Sequence, residues 1–334
     1  NAWEYVENLG KYYLHLFDKT QADLNWENPE LRQEIYDMCN FWLEKGVKGF
    51  RLDVINLISK PELFENDDEG DGRRFYTDGH KIHEYLKELN ENSFGKYEDI
   101  ITVGEMSSTS IENCIKYSNE KEKELSMTFN FHHLKVDYKD GDKWSDMDFD
   151  FMKLKELFNS WQTEMDNGGG WNALFWCNHD QPRIVSRFGN DKEFHRESAT
   201  MLATAIHMMK GTPYIYQGEE IGMTNAYFES IDKYRDVESL NYYDILTKEK
   251  PQNEVFGVLQ KKSRDNSRTP MQWDNSENAG FSVGTPWLGV CKKYKDINAE
   301  RALEDKNSIF YHYKNLIALR KEYEIIQNGS FEIV

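Results

Sequence analysis

The feature that most constrains this fold is a repeated alternation of helical and strand-like segments along most of the chain. A helix near 28–46, with Asn28 as N-cap, Pro29 at its first position and Gly46 past its end, feeds the strand GVKGFRLDV (46–54). Leu31, Ile35, Met38, Cys39 and Trp42 are the expected buried stripe of that helix. Helical stretches near 79–92, 110–123, 151–166 and 193–209 lead in turn to DIITVGEM (99–106), LSMTFNF (125–131), NALFWCNHD (172–180) and GTPYIYQGEEIG (211–222). A last helix near 306–322 precedes SFEIV, and a hairpin is expected at 3–17 with its turn around Asn8–Gly10. Strands that alternate with helices need crossover connections, hence a parallel sheet with right-handed crossovers. Five such strands, several ending in charged residues, imply part of an α/β fold, the (β/α)8 TIM barrel, whose chemistry sits at the strands' C-terminal ends. An open doubly wound sheet would carry a glycine-rich phosphate loop after its first strand, and the sequence has none.

Composition removes several function classes. A net charge of −18 argues against a general nucleic-acid binder, because phosphate backbones demand a basic surface. No apolar run approaches the roughly 18 residues of a membrane span, so no membrane partner is expected. Cys39, Cys114, Cys177 and Cys291 lie far apart with no CxxC spacing, which reads as free thiols in a reducing cytoplasm. The histidines show no zinc pattern. Asp67, Glu69, Asp71 and Gly72 with Asp78 have the rough spacing of a calcium loop but lack its final glutamate, so a solvated loop is expected there. Met201, Met208 and Met209 are expected in the core. No cofactor is implied.

Three strand ends carry carboxylates. In GVKGFRLDV, alternation puts Arg51 and Asp53 on one face and Phe50, Leu52 and Val54 on the other. Burial raises a carboxylate's pKa and a guanidinium lowers it, so Arg51 keeps Asp53 an anion fit for attack. Glu105, after Val103 and Gly104 and with no adjacent base, suits a general acid. Asp180 follows His179, and the two together suit sugar hydroxyls. In a barrel these ends meet at one mouth, and two carboxyl groups about 5–5.5 Å apart serve retaining glycoside hydrolysis.

GFRLD (49–53), VGE (103–105) and NHD (178–180) resemble three signature segments of the α-amylase superfamily of glycoside hydrolases, in that family's order. QADLN (21–25) resembles a fourth, and SRDNSRTPMQW (263–273) is similar to a segment of its oligo-1,6-glucosidase branch. The resemblance implies Asp53 as nucleophile, Glu105 as general acid/base and Asp180 as transition-state stabiliser. Arg51 would orient the nucleophile and His179 would bond the sugar. Arg268, in preference to Arg264, would contact nucleophile and sugar. Val54 looks like the valine of the branch that favours α-1,6 and related linkages. QADLNWENPELR, DEGDGRRFYTDG, GEMSSTSIENC and SMTFNFHHLKVDY further resemble the α,α-phosphotrehalase family. That implies a cytoplasmic, monomeric enzyme whose small-molecule substrate is a phosphorylated disaccharide, trehalose 6-phosphate, cleaved to glucose and glucose 6-phosphate. Lys135 stands where the sister enzymes carry an acidic residue, and is read as part of a phosphate site with help from His132, His133 or Lys143.

The chain lacks the family's early Asp…Asn-His segment. The expectation is therefore an incomplete barrel of strands four to eight, with the first three strands absent. Residues 1–27 would end an inserted domain and return to the barrel, and 28–326 would be the barrel's C-terminal part with a subdomain at about 224–300. Residues 327–334 would begin a C-terminal β-domain, and the 334 residues alone would be inactive or aggregate. A non-catalytic barrel would have lost its acids, which are intact here. A glycosyl-transferring or isomerising enzyme shares the same covalent intermediate, and an oligo-1,6-glucosidase (isomaltase) or related dextran glucosidase is the alternative among hydrolases.

Overall fold

A computed structural model of the protein describes residues 2–68 and 70–333. Glu69 of the calcium-like loop, Asn1 of the first expected segment and Val334 of the last lie outside the described residues. The chain divides into two units, residues 1–130 with 168–171, and residues 131–167 with 172–334.

The first unit opens with the expected hairpin. Strands β1 (Trp3–Val6) and β2 (Lys11–Leu14) pair antiparallel from Trp3 opposite Leu14 to Val6 opposite Lys11. Helix α1 (Pro29–Glu44) begins where the side chain of Asn28 accepts from the Glu30 amide. Its buried face is Tyr36, Cys39 and Leu43, while Met38 and Trp42 are exposed. The expected stripe is thus rotated: Tyr36, whose polar tip hides a large apolar ring, belongs to the buried face. Gly46 then adopts a φ of 92°, a left-handed turn open to glycine, and releases the chain into β3 (Gly49–Leu52).

Helix α2 (Ile82–Asn92), strand β4 (Ile101–Glu105), helix α3 (Ile111–Ser118) and strand β5 (Met127–Phe129) complete this unit. The three strands form one parallel sheet in the order β3-β4-β5. The register sets Gly49 opposite Ile101 and Leu52 opposite Gly104, then Val103 opposite Met127 and Glu105 opposite Phe129. Gly104 is fixed by space. A Cβ there would lie 2.6 Å from both Leu125 Cδ1 and Met106 Cε.

In the second unit, α4 (Phe151–Gly168) leads to β6 (Ala173–Phe175), the short α5 (Ile184–Arg187), α6 (His195–His207) and β7 (Thr212–Tyr214). Strands β6 and β7 pair in parallel from Ala173 opposite Thr212 to Phe175 opposite Tyr214. Helices α7 (Val237–Leu246), α8 (Gln252–Lys262), α9 (Asp265–Arg268) and α10 (Ala299–Glu304) follow, then α11 (Ile309–Glu322) and α12 (Ile325–Asn328). Val185, Ala199, Ala203, Ile309, Tyr313 and Leu316 knit α5, α6 and α11 into one apolar cluster. A second core gathers Trp144, Phe228, Tyr234, Val255, Leu259 and Leu288 around α7 and α8.

All five expected parallel strands are present and all are shorter than their apolar runs. Met209 is buried as expected, whereas Met201 is more than half exposed and Met208 lies at the surface, because the inward face of α6 is taken by Ala199, Leu202, Ala203 and Ile206. The four cysteines are free thiols and all are buried. Among the described residues no helix is long and apolar enough to cross a membrane. Among the same residues no group of ligand-type side chains is arranged to hold a metal ion. In the calcium-like loop Asp67 instead pairs with Arg74 and accepts from the Gly72 amide.

Candidate active site

The first unit places Arg51, Asp53 and Glu105 on one face of the parallel sheet. The ladder between β3 and β4 ends at Leu52 and Gly104, so the next register step sets Asp53 opposite Glu105. Alternation gives Arg51, Asp53, Val103 and Glu105 a common face. The Arg51 guanidinium forks across both acids: one nitrogen donates to Asp53 Oδ1 and Nη2 donates to Glu105 Oε2 at 2.5 Å. Glu105 therefore does have an adjacent base, contrary to the expectation from its strand alone, because the arginine arrives from the neighbouring strand.

The two carboxyl groups sit in opposite environments. Asp53 lies one residue past its strand with its side chain 70% exposed, so it does not end a buried strand as the sequence suggests. Glu105, the last residue of β4, has a side chain only 7% exposed. Burial and a hydrogen bond shared with Asp53 push the Glu105 carboxyl up to about 7, against the pull of Arg51 and a Val54 backbone amide. A buried carboxyl with a raised pKa beside an exposed one is the division of labour that acid-assisted nucleophilic displacement requires.

Val54, the residue after Asp53, adopts φ 36° and ψ 42°. A β-branched residue pays about 1–3 kcal/mol for that left-handed conformation, which persists only where surrounding bonds over-determine it. Here it turns the chain sharply from β3 into the one-turn helix Ile55–Leu57 and brings its own amide to Glu105.

The second unit holds His179, Asp180, Arg264, Arg268 and Lys135. Strand β6 stops at Phe175, so Asp180 lies in a loop rather than at a strand end. That loop is built rigidly. Cys177 Sγ accepts from the Ile184 amide at 3.2 Å, and the Asn178 side chain accepts from the Asp180 amide at 2.8 Å. Asp180 Oδ1 accepts from Arg268 at 2.7 Å and from Arg264 at 3.2 Å, while its Oδ2 lies 3.3 Å from His179 Nε2. Arg268 also donates from Nε to the His179 carbonyl at 2.7 Å, which ties helix α9 to both members of the His-Asp pair.

Arg264 is chiefly engaged elsewhere, with Asp236 at 2.5 Å and Glu238 at 3.3 Å. Burial raises Asp236, but hydrogen bonds from Arg264 and Ser239 outweigh it and hold the carboxyl below its ordinary value. Sequence reasoning missed Asp236 and Glu238. They sit 56 and 58 positions beyond Asp180 in an unremarkable polar stretch, and no motif links them.

Of the residues read as phosphate partners, two are excluded as cations. His133 donates from Nε2 to the Phe175 carbonyl at 2.8 Å and packs against Phe158 and Trp176. His132 lies against Trp161. Burial lowers both imidazoles to about 4, so both are neutral near pH 7. Lys143 is paired with Glu238 at 2.6 Å, and burial lowers its pKa. Lys135 caps the short turn His132–Leu134 and is half-buried.

Residues 1–329 match the model of the alpha amylase catalytic domain. The chain is 62% identical to a trehalose-6-phosphate hydrolase of Bacillus subtilis, over 100% of this chain and 60% of that protein. It is 52% identical to an oligo-1,6-glucosidase of Parageobacillus thermoglucosidasius, over 100% of this chain and again 60% of the relative. A solved trehalose-6-phosphate hydrolase from Bacillus licheniformis superposes with a TM-score of 0.98 at 62% identity, covering 100% of this chain and 60% of that one. This chain thus spans about 60% of the length of the curated relatives it matches. Parallel strands that end in an Arg-Asp-Glu constellation, a matching domain model over nearly the whole length and this degree of identity lead to one conclusion: the chain belongs to the α-amylase catalytic-domain family of (β/α)8 barrels.

Proposed function

We propose that this chain carries the catalytic acids of a retaining α-glucosidase that hydrolyses trehalose 6-phosphate to glucose and glucose 6-phosphate. The observation that carries the reading is the pairing of a buried, protonatable Glu105 with a solvated Asp53 on one arginine. In the first step an Asp53 carboxylate oxygen attacks the anomeric carbon while Glu105 gives its proton to the glycosidic oxygen. The bond from that carbon to the leaving oxygen breaks and glucose 6-phosphate departs. Glu105, now a carboxylate, takes a proton from water, and the water oxygen attacks the same carbon to free glucose and Asp53. Arg51 orients both acids. Asp180 is assigned to transition-state stabilisation, and His179 and Arg268 to sugar binding. Val54 is assigned to linkage preference. No step needs a cofactor.

Lys135 is assigned to the phosphate, whose nearly two negative charges must be offset beside carboxylates. The chain is further proposed to supply strands four to eight of a barrel that residues outside it complete. Within it, 1–27 would close an inserted domain, 28–326 would be barrel with a subdomain at about 224–300, and 327–334 would begin a β-domain. The enzyme is proposed to act as a cytoplasmic monomer. Identity to an oligo-1,6-glucosidase supports isomaltose-type substrates as the second reading.

The test is turnover of trehalose 6-phosphate against isomaltose by an enzyme containing this sequence, with glucose 6-phosphate followed directly. Trehalose 6-phosphate is expected to give the higher kcat/KM, and Lys135→Ala is expected to collapse that preference while sparing an unphosphorylated glucoside. A preference for isomaltose would replace the first reading by the second. An unchanged ratio in Lys135→Ala would remove Lys135 from the phosphate site.

A further inference from the structure

Main-chain pairing between β3 and β4 stops one residue short of Asp53, yet the two acids are held within reach of one guanidinium. Something beyond the ladder must fix the separation of the two segments. The structure assigns that task to Asn56, which we propose as a positioning residue that continues the strand pairing with its side chain; this rests on the glucosidase reading.

Asn56 is fully buried in the one-turn helix that follows Asp53. Its Oδ1 accepts from the Ser107 amide at 2.9 Å and its Nδ2 donates to the Ser107 carbonyl at 2.9 Å. A side-chain amide that exchanges both bonds with one residue's backbone imitates a strand partner. Ser107 stands two positions after Glu105, and Asn56 three positions after Asp53. The clamp therefore ties together the segments that leave the two catalytic positions.

The remaining Nδ2 proton goes to Asp78 Oδ1 at 2.9 Å, and the Asp78 amide donates to the Asn56 carbonyl at 3.0 Å. Asp78 is itself anchored by the Tyr117 hydroxyl at 2.6 Å and by Asn113 Nδ2 at 2.9 Å, both on α3. It occupies a left-handed conformation, φ 50°. Every polar group of the Asn56 side chain is thus satisfied, and each bond leads either to the Glu105 segment or to a fixed anchor. The left-handed Val54 lies between Asp53 and this clamp, so its amide is held toward Glu105 by Asn56 rather than by its own preference. A bland core asparagine would satisfy itself anywhere. This one bonds the two segments on which the chemistry depends.

The experiment compares Asn56→Ala and Asn56→Asp with the unsubstituted enzyme on trehalose 6-phosphate and on p-nitrophenyl α-glucoside. Asn56→Asp keeps the shape but turns a donor into an acceptor facing Ser107 and Asp78. Loosening the clamp is expected to lower kcat roughly 10- to 100-fold with KM changed less than about threefold, since displacement of catalytic groups costs that much. The alkaline limb of the pH profile is expected to move to lower pH as Glu105 escapes its buried position. Asp78→Asn, a milder change at the anchor, is expected to move both readouts in the same direction by less. Leu89→Ala in α2 serves as a stability control, expected to lower the melting temperature without moving the limb. Folded Asn56 and Asp78 variants with unchanged kcat and unchanged limb would overturn the assignment, and so would a limb that moves equally in Leu89→Ala. If the unsubstituted enzyme turns over neither glucoside, the glucosidase reading fails and the inference fails with it.

Discussion

Replacing Glu105 by glutamine removes a carboxyl whose pKa the fold raises to near neutrality. The rise from an ordinary 4.5 to about 7 corresponds to a penalty of about 3 kcal/mol for holding Glu105 ionised in the folded chain. The sign is set by proton uptake. Between those two values the folded state binds more protons than the unfolded state, so stability falls as pH rises through the window and the penalty is complete above about 7. About 2.5 kcal/mol of it develops between pH 5 and pH 8. Glutamine cannot ionise. The unfolding free energy of Glu105→Gln should therefore gain on that of the parent by about that amount from pH 5 to pH 8. Urea unfolding followed by tryptophan fluorescence at the two pH values, in an enzyme containing this sequence, measures the difference directly. Because the acids share a proton-bearing contact, the apparent value belongs to the pair, and Asp53→Asn should lower it. A difference between Glu105→Gln and parent that stays constant across this range would refute the claim that burial controls Glu105.

Arg51→Lys keeps the charge but loses the planar fork that reaches both acids, so kcat/KM should fall by about 100-fold with the protein still folded. Arg51→Met removes the pull on Glu105 and should move the alkaline limb to higher pH, opposite to the shift expected for Asn56 variants; kcat/KM profiles from pH 5 to 9 check both. In the second unit, Arg187 and Lys262 converge on Asp137, each at 2.7 Å and each with a side chain only 3% exposed. Asp137→Asn leaves two buried cations without their carboxylate and should cost about 3–5 kcal/mol in chemical denaturation. Burial raises the Asp137 carboxyl but the Arg187 bond lowers it further, so the stabilisation it supplies is present above its unfolded pKa and is lost as pH falls through the depressed value.

What the sequence made legible was what repeats or what local physics dictates. Helices α1 to α4, α6 and α11 and all five parallel strands follow from periodicity and capping, and Asn28, Pro29 and Gly46 act as those residue types do anywhere. The faces were less legible. Met38 and Trp42 point outward because apolarity alone cannot say which stripe of a helix meets a sheet. The acids stood out because each falls at or after the end of an apolar run, but Arg51 reaching Glu105 depends on the register of β3 against β4, which no single segment encodes. His132 and His133 looked cationic in sequence and are neutral in the fold, since burial is a tertiary property. Asn56 and Asp236 were invisible for the same reason, and Asp78 was legible only as part of a calcium-like loop: their partners are 22 to 51 positions away, and polar residues in loops carry no periodic signal.

The contrast between Asp53 and Glu105 has a simple structural origin in unequal ladders. The two residues occupy the same register step on neighbouring strands, and both bond the same guanidinium. Yet β4 continues to Glu105 through its pairing with Phe129 of β5, whereas its pairing with β3 ends at Leu52. Continued pairing keeps the Glu105 backbone in the sheet and its side chain over buried Val103, where an ionised carboxyl is costly. Loss of pairing one residue earlier lets Asp53 turn toward solvent through the strained Val54. The difference between a buried acid with a raised pKa and an exposed one therefore needs no difference in residue chemistry beyond one methylene. It follows from where each strand's hydrogen bonds stop, and the buried amide of Asn56 takes over the spacing at the point where they do.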